Sequence, residues 1–570
     1  MSKPSAPPLT KKVGNRAPAE GVAGAATHLS PHPPVDIPST PLADFVLTGA
    51  AARGGDRPAL VDAVTGRAIS YAALPELVER TAAGLARLGI GKGDVCAIFA
   101  PNTPEYLIAV LAIARLGAVV TTVSSLSTKE DLAKQLRDSA ARILFTSAAL
   151  AAAWTAAIEG TAVERVVVFD DLETGAVGTG VRAAAALGAF GSGGARGNRR
   201  SALAFAVLAA GRGGAPEVVI EPSDLVAMPY SSGTTGLPKG VMLTHRNLVA
   251  NVLQADGASH YIHAEDTTIV FLPLFHIYGL TAIALLGLWS GATMIVMPKF
   301  ELEPYLDLVA RHRASLLHVV PPLVVALAKH PAIDGHDFSS IRKLFSGAAP
   351  LGANVIEQCM QRIGCVLQQG YGLTETSPAT HITSDDPARI KHGSVGPPVP
   401  STECRVVDPE TGRDVAPGED GEIWVRGPQV MRGYFNRPEE TRAAIDDAGW
   451  FRTGDIGHAD EDGHFFIVDR LKELIKYKGM QVPPAELEAV LLSHPAVADA
   501  AVVPLKDEDA GEIPRAFVVR KGETTADELM GYVAERVAPY KKVRRIDFVE
   551  AIPKSASGKI LRRLLRDRPA

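Results

Sequence analysis

The chain has 570 residues, more than one ordinary domain needs, and its 46% hydrophobic and 21% charged content is typical of a folded globular protein. A net charge of −5 argues against a broadly basic nucleic-acid surface. The four cysteines form no Cys-x-x-Cys pair, which argues against zinc binding or a disulfide framework and indicates a reducing, cytoplasmic location.

Residues 1–40 are rich in Pro, Ala, Ser and Gly and predict a disordered tail. From about residue 42 to 400, helical segments such as Tyr106–Leu116 and Leu302–Arg313 are each followed by a strand-like segment. This alternation predicts an α/β architecture with largely parallel sheets. The uncharged stretch Gly279–Pro298 has a turn signal at Trp289–Thr293. It therefore predicts a buried helix and a buried strand rather than a membrane span.

Three further segments change the character of the chain. Residues 172–215 are rich in Gly and Ala and predict a partly mobile insertion with an apolar helix at Ser201–Ala210. Val406–Gly433 alternates like antiparallel strands, and Asp460–Gly463 is a hairpin signal. The charged stretch Asp469–Lys472 lies between apolar segments and is a candidate hinge.

About 100 residues follow the candidate hinge, enough for a small α+β domain. Prolines open a predicted helix over Pro483–Ser493, and short strands are predicted at Ala500–Val503 and Ala516–Val519. We therefore predict a disordered tail over 1–40, an N-terminal domain over 41–470 and a mobile C-terminal domain over 471–570.

The loop Ser231–Gly240 combines hydroxyls, glycines and one lysine, the residue types that bind phosphate. Glycines let the backbone N–H groups converge on anionic oxygens, and hydroxyls and a lysine add donors. The loop is not a Walker A motif, because Pro238 precedes the lysine and Gly240 follows it. Taken alone, it could also be a Gly/Ser surface turn. Its phosphate-binding candidates are Ser231, Ser232, Gly233, Thr234, Thr235 and Lys239.

Four downstream segments complete an ordered set of motifs: Gln369–Glu375 (QGYGLTE), Gly449–Asp455 (GWFRTGD), Asp469–Gly479 (DRLKELIKYKG) and Pro553–Ile560 (PKSASGKI). Together with the 231–240 loop they resemble the adenylate-forming superfamily, and most closely its 4-coumarate–CoA ligase branch. The resemblance implies a large N-terminal domain of two α/β subdomains and a small β-barrel-like part. It also implies the small mobile α+β domain at the C-terminus.

The resemblance implies a reaction in two steps. A carboxylate attacks the α-phosphorus of ATP to give acyl-AMP and pyrophosphate, and the thiol of CoA then displaces AMP. The first step brings an anion against a polyanion and needs Mg²⁺ and fixed donors. The expected ligands are therefore a small carboxylic acid, ATP, Mg²⁺ and CoA, with no nucleic acid, no membrane span, and a monomer or homodimer.

By the same resemblance, each nucleotide contact falls on a particular residue. Glu375 would be the magnesium carboxylate, since hard cations prefer oxygen ligands. Asp455 would accept the ribose hydroxyls, with Arg470 beside it; alone, these two could be a turn aspartate and a surface salt bridge. The remaining nucleotide-binding candidates are Gln369, Gly370, Tyr371, Thr374 and Lys472.

The acyl side is implied by the stretch around His276. If that stretch is extended, His276 and Tyr278 lie on one side and face the acyl-adenylate. Lys559 would bridge the attacking carboxylate and the α-phosphate, although alone it could belong to a C-terminal basic patch. The remaining candidates for the acid pocket are Phe275, Ala348, Pro378 and Ala379.

A second set of residues is implied for thioester formation, after a rotation of the small domain. Lys476 and Gln481 would contact the acyl-adenylate in that arrangement. Gly479 would line the pantetheine tunnel, and Lys478 and Lys299 would meet CoA.

Several alternatives remain open from the sequence. The chain could load a carrier protein, run mainly one half-reaction, act as a luciferase-like oxygenase or serve as a nucleotide sensor. Retention of Lys239, Glu375, Asp455 and Lys559 argues against the sensor. The acid itself is open among aryl, arylpropenoic, medium-chain and bulkier acids, and the small Ala379 favours room for bulk.

Overall fold

The computed structural model describes residues 27–169, 201–210, 213–231, 238–478, 480–507, 509–555 and 558–568. Within these ranges the strands form four sheets. Three of them are built from the chain up to Arg470, and the fourth from the chain after it. The predicted α/β class, with a large N-terminal part and a small C-terminal part, is confirmed. The boundaries of the predicted domains stay predictions.

The first large sheet has nine strands and a parallel centre. Val95–Phe99 runs parallel to both of its neighbours, Val119–Val123 and Ile143–Thr146, because helices cross over between these strands. In sheet order the first eight strands are Tyr230–Ser231, Lys239–Thr244, Leu225–Ala227, Val119–Val123, Val95–Phe99, Ile143–Thr146, Arg165–Val168 and Ser201–Ala204. The ninth strand, Gly433–Tyr434, pairs with Lys239–Thr244.

The second large sheet has eight strands, parallel inside and antiparallel at both edges. Its order is Ala379–Ile382, Val366–Gly372, Lys343–Ser346, Leu316–Val319, Thr267–Val270, Thr293–Val296, Pro58–Asp62 and Ala68–Ser70. One hydrophobic core contains apolar residues of both large sheets. The carboxyl ends of the parallel strands in the second large sheet lie next to motif residues described below, as at the end of Val366–Gly372.

Helices cover these two sheets. Among the described residues up to Arg470, the α-helices are Leu42–Gly54, Leu74–Arg87, Pro104–Arg115, Lys129–Ser139, Ala151–Ala157, Phe205–Ala209, His245–Ser259, Leu286–Ser290, Leu302–Arg311, Pro321–Lys329, Ala353–Ile363 and Pro438–Ala444. Single 3₁₀ turns lie at Ala148–Leu150, Pro331–Gly335, Thr374–Thr376 and Pro387–Arg389. The predicted alternation is confirmed where Pro104–Arg115 precedes Val119–Val123 and where Leu302–Arg311 precedes Leu316–Val319.

The third sheet is antiparallel and corresponds to the predicted small β part. Its order is His28–Leu29, Glu403–Val407, Gly421–Arg426, Phe451–Ala459 and Phe465–Arg470. The predicted hairpin at residues 460–463 is confirmed, since it joins the last two strands. The prediction of disorder is wrong for residues 27–40, because His28 pairs with Cys404 and the Ser30 hydroxyl donates to the Pro398 carbonyl. Residues 1–26 lie outside the described residues.

Of two apolar stretches with predicted helices, one forms the predicted elements and the other does so only in part. The uncharged stretch forms a π-helix at Tyr278–Leu285, the short helix Leu286–Ser290 and the strand Thr293–Val296, as the sequence predicted. Among the described helices, none has the length and apolar character that a bilayer crossing requires. The helix predicted at 201–210 is wrong in its first half, because Ser201–Ala204 pairs with Arg165–Val168 as an edge strand. Most of the surrounding insertion, residues 170–200 and 211–212, lies outside the described residues.

The C-terminal part is a small five-stranded sheet with helices. Its strands are Ile475–Tyr477, Met480–Val482, Val497–Asp507, Gly511–Arg520 and Arg545–Phe548. The helix Pro484–Ser493 begins one residue later than predicted and ends as predicted, and the two predicted short strands extend into a long antiparallel pair. The helices Ala526–Ala534 and Arg562–Arg566 and the 3₁₀ turn Pro539–Lys541 complete this part, whose core is separate.

Candidate active site

An ionic pair with a buried carboxylate lies at the junction of the third sheet and the second large sheet. Asp455 and Arg470 face each other on paired strands, with 3.2 Å between the Arg470 Nε and the Asp455 Oδ1. The Tyr371 hydroxyl donates to the other oxygen of Asp455 at 2.6 Å. Burial raises the pKa of the Asp455 carboxyl, while Arg470 and the Tyr371 hydroxyl oppose that rise. Two predicted nucleotide residues, Arg470 and Tyr371, therefore contact the carboxylate of a third, Asp455, and the three come from two sheets.

Glu422, which the sequence analysis missed, holds the strand segment that precedes Asp455. Gly454 has a φ of +71°, a conformation that favours glycine. The Glu422 carboxylate accepts the Gly454 N–H at 3.0 Å and the Trp424 indole N–H at 2.8 Å. The Thr453 hydroxyl accepts the Asp455 N–H and donates to a strand carbonyl. Glu422 carries no motif signal, since its role depends on strand register alone.

Lys559 reaches this ionic pair from the C-terminal part. Burial and the neighbouring Arg470 lower the pKa of Lys559, while the carboxylates of Asp455 and Glu375 oppose that change. Lys559 also lies close enough to His276 to act on it. Burial and the Lys559 charge together lower the pKa of His276 to about 3, so that imidazole is neutral near pH 7. The structure thus gathers His276, Glu375, Asp455, Arg470 and Lys559.

Glu375 and the predicted phosphate-loop lysine share one neighbour. The Tyr434 hydroxyl donates to Glu375 Oε1 at 3.0 Å, and the Lys239 ammonium lies 4.8 Å from the centre of the Tyr434 ring. Tyr434 reaches this position because Gly433–Tyr434 pairs with the strand that begins at Lys239. The sequence analysis did not identify Tyr434. Ser231 pairs with Lys239 across the hairpin, whereas Ser232, Gly233, Thr234 and Thr235 lie outside the described residues.

The Glu375 carboxylate fits a magnesium ion that binds together with a nucleotide. Within the described ranges, His, Cys, Asp and Glu side chains form no group of three or more that could hold a metal ion. Glu375 is buried, with one oxygen bonded to a tyrosine hydroxyl. One carboxylate suits Mg²⁺, which commonly takes its other ligands from phosphates and water.

The remaining residues of the QGYGLTE motif contact other parts of the protein or shape the chain next to Glu375. Gln369 is buried and donates its side-chain amide to the Ser394 carbonyl at 2.9 Å. A Cβ atom at Gly370 would lie 2.8 Å from the Phe345 ring, so glycine is required there. Thr374 begins the 3₁₀ turn that carries Glu375. Gln369 is tied to the protein, so its predicted ligand contact stays a prediction.

The segment of His276 is a turn rather than the predicted extended stretch. The His276 N–H donates to the Pro273 carbonyl, and the π-helix begins two residues later at Tyr278. His276 Nδ1 accepts the Tyr278 N–H at 3.2 Å, which leaves Nε2 for a ligand. The predicted reason for pairing these residues, strand alternation, is therefore wrong. What links them instead is the hydrogen bond from the Tyr278 N–H to the His276 ring.

Tyr278 and Phe275 are both fixed by the surrounding protein. The Tyr278 hydroxyl donates to the Phe345 carbonyl at 3.1 Å, and the Thr122 hydroxyl donates to the Phe275 carbonyl at 2.7 Å. Buried Asn102, which the sequence analysis missed, donates to the carbonyls of Val270 and Leu272 and accepts the Leu274 N–H. The turn that presents His276 is thus anchored on both sides.

A cavity of about 440 Å³ lies between the large part and the loop before Lys559. Phe275 and Lys299 line it on one side, and Lys554, Ser555 and Gly558 line it on the other. Ala348, Pro378 and Ala379 do not line this cavity; Pro378 and Ala379 are buried. The acid pocket between Phe275 and Ala379 therefore stays a prediction.

The residues predicted for the second half-reaction lie apart from this group. Lys476 and Gln481 face each other on paired strands with exposed side chains. Lys472 and Lys478 are also exposed. Among the described residues, no hydrogen bond or ion pair joins any of these four to His276 or Lys559. Gly479 lies outside the described residues.

Comparison with known proteins agrees with this geometry. Residues 47–435 match the model of the AMP-binding enzyme family, and residues 486–559 match that of the AMP-binding enzyme C-terminal domain. The chain belongs to the AMP-binding enzyme family. The resemblance to the 4-coumarate–CoA ligase branch, drawn from the five motifs, is confirmed.

Individual members of the AMP-binding family match over nearly their whole length. The chain is 43% identical to 4-coumarate–CoA ligase 1 of Petroselinum crispum over 90% of its own length and 92% of that protein. It is 45% identical to 4-coumarate–CoA ligase 5 of Oryza sativa subsp. japonica over 94% and 96%. A benzoate CoA ligase structure from Burkholderia xenovorans LB400 aligns with a TM-score of 0.80 at 28% identity, over 93% of this chain and 100% of that one.

Proposed function

We propose that the chain is an AMP-forming ligase that joins an aryl or arylpropenoic acid to CoA through an acyl-adenylate. The observation that carries this proposal is that Asp455, Arg470, Glu375 and His276 all lie within electrostatic range of Lys559. A cation delivered by the small part to a site for ribose and phosphates is what adenylation requires. The identity with 4-coumarate–CoA ligases supports the same reaction and acid class.

Adenylation would follow from the charges at this site. The Asp455 carboxylate, aimed by Tyr371 and Arg470, would accept the ribose hydroxyls and fix the nucleotide. Lys559 would then lie between the acid carboxylate and the α-phosphate, offsetting the repulsion between two anions as the oxygen–phosphorus bond forms and pyrophosphate leaves. Neutral His276 would donate or accept a hydrogen bond at the acyl group without adding charge.

The phosphates of ATP would lie toward Lys239 and Glu375. Mg²⁺ bound with ATP supplies positive charge beside the phosphate oxygens, and Glu375 is the residue that would hold it. The Lys239 ammonium adds a second positive charge. The Tyr434 hydroxyl would keep the Glu375 carboxylate oriented while the ligands exchange.

Thioester formation would use the residues that are now exposed. Lys476 and Gln481 would replace Lys559 at the acyl-adenylate after a rotation of the small part, with Lys478, Gly479 and Lys299 along the path of CoA. The predicted cytoplasmic location and the monomer or homodimer stay predictions.

The test is a screen for pyrophosphate release with 3-phenylpropenoic, 4-hydroxyphenylpropenoic, benzoic and octanoic acids, with and without CoA. We expect release that requires both acid and ATP, and an acyl-CoA product by mass spectrometry when CoA is present. Pyrophosphate release without a thioester product would instead favour a carrier-loading enzyme. Absence of acid-dependent release with every acid would refute the proposed function.

A further inference from the structure

One buried side-chain amide holds the backbone of Ala379 from both sides. Asn251 lies in the helix His245–Ser259 and is 1% exposed. Its Nδ2 donates to the Ala379 carbonyl at 2.8 Å, and its Oδ1 accepts the Ala379 N–H at 2.9 Å. The second Nδ2 hydrogen reaches Gln254 Oε1 at 3.3 Å. The strand Ala379–Ile382 therefore begins at a point fixed by a side chain from another element.

An asparagine at this place is not explained by helix formation. Asparagine is a weaker helix former than leucine, and burial of its amide costs free energy unless its donors and acceptor are bonded. Here both donor hydrogens and the acceptor oxygen have partners. A side chain that disfavours the helix but is fully bonded points to a requirement at Ala379 rather than in the helix.

Ala379 ends a short segment, residues 373–379, that also carries Glu375. The Glu375 end is held by other residues, since the Tyr434 hydroxyl donates to the Glu375 carboxylate at 3.0 Å and the Met431 N–H donates to the Glu375 carbonyl at 2.8 Å. Between the two ends, the Ser377 hydroxyl donates to the Gln429 carbonyl at 2.9 Å, and Gln254 joins Gln429 to Asn251. The segment thus has one anchor at its metal end and a different anchor, Asn251, at its acyl end.

We propose that Asn251 is a positioning residue that sets acid selectivity by fixing the Pro378–Ala379 wall. The inference rests on the proposed function and on the prediction from the sequence that Ala379 borders the acid. An apolar wall discriminates between acids of different width only while it cannot move. Each methylene that fits or clashes changes specificity by a modest factor, so a small shift of the wall is enough to change the selectivity. Loss of the clamp would let the wall shift, and acids of different width would then be accepted more equally.

The test compares Asn251→Leu with Tyr434→Phe, which removes the hydroxyl that bonds to the Glu375 carboxylate at the other end of the same segment. For each variant, kcat/KM is measured for 3-phenylpropenoic acid and for 3-(2-naphthyl)propenoic acid with ATP and CoA saturating, and KM is measured for ATP. We expect Asn251→Leu to reduce the ratio between the two acids at least fivefold and to change the KM for ATP less than twofold. We expect Tyr434→Phe to show the opposite pattern.

A binding measurement covers the case in which Asn251→Leu does not fold. In Asn251→Ser, the dissociation constants of the two sulfamoyl-adenosine mimics of the acyl-adenylates are expected to converge at least threefold. An unchanged ratio between acids or mimics, or equal losses for both acids and ATP in both variants, would overturn the proposal. Wild-type protein that releases no pyrophosphate with any acid would refute the proposed function instead, so the two failures are distinguishable.

Discussion

Replacement of Lys559 by alanine tests the adenylation site most directly. This substitution removes a cation that the C-terminal part delivers to Asp455 and Glu375. A unit charge 4 Å from an anion contributes about 4 kcal/mol at an effective dielectric constant of 20. Arg470 remains paired with Asp455 and compensates in part. We therefore expect adenylation to slow by about 10²- to 10³-fold, the range seen when one preorganised electrostatic contact is removed.

The assay separates the two half-reactions. Adenylation is followed as single-turnover pyrophosphate release, and thioester formation is followed from supplied acyl-AMP and CoA. Lys559→Ala should lose the first and retain the second within about threefold, because Lys476 and Gln481 are expected to serve the second step. Lys541→Ala is the matched control, since it removes another lysine of the same part whose ammonium pairs with Glu486 at 2.6 Å.

Two results would refute this reasoning. Equal damage to both half-reactions in Lys559→Ala would mean that one arrangement of the two parts serves both steps. A comparable loss of adenylation in Lys541→Ala would mean that the effect comes from the net charge or stability of the C-terminal part. A pair such as Lys541–Glu486 typically contributes less than about 1 kcal/mol, so its control loss should stay below about fivefold.

Three further outcomes are expected. Tyr371→Phe removes the hydroxyl that donates to Asp455 and should raise the KM for ATP about 5- to 10-fold with a smaller change in kcat; an unchanged KM in steady-state assays would contradict it. Lys476→Ala should leave the pyrophosphate burst intact and slow thioester formation at least about tenfold in rapid-quench experiments. Burial lowers the pKa of His318 to about 3, so the unfolded chain binds its proton first and stability falls as pH drops from about 6.5 toward 3. In denaturant titrations His318→Leu should therefore reduce the slope of unfolding free energy against pH in that window by up to about 1.4 kcal/mol per unit, and an unchanged slope would contradict the assignment.

The sequence was informative where a function needs unusual residue chemistry in one short segment. The resemblance to a known family assigned Asp455, Arg470, Glu375 and Lys559 to one site, because each of them belongs to one of that family's motifs. The architecture followed from the alternation of periodic segments, since buried parallel strands and their crossover helices leave a clear hydrophobic pattern.

Residues that act through long-range contacts could not be found in the same way. Glu422 lies in an ordinary alternating strand, and its role depends on the register that brings Gly454 beside it. Tyr434 and Asn251 likewise contact partners 59 and 128 residues away in the chain. Local propensity contains no term for such pairs, because the partner is specified only once the sheets have assembled.

The His276 turn and the N-terminal tail show how tertiary context changes a local interpretation. An apolar run around His276 fits a strand as well as a buried helix, and only the packing of the π-helix Tyr278–Leu285 decides between them. Residues 27–40 have little hydrophobic content of their own. They are ordered nevertheless, because the edge of the third sheet offers unpaired backbone groups to His28 and Leu29.

The positions of the two lysines have a consequence for the order of events. Lys559 lies at the site while Lys476 is exposed, and both belong to the same small part, so a single acyl carbon can meet both only if that part moves. Polar contacts across its border include the Ala485 N–H to Asp469 at 2.8 Å and the Lys329 ammonium to the Leu492 carbonyl at 2.9 Å. Each joins a charged side chain to a backbone group, so breaking one costs roughly 1.5–3 kcal/mol net. Departure of pyrophosphate would remove the anions that favour Lys559 at the site. The first product's release, rather than CoA arrival, is therefore the step that we expect to free the small part.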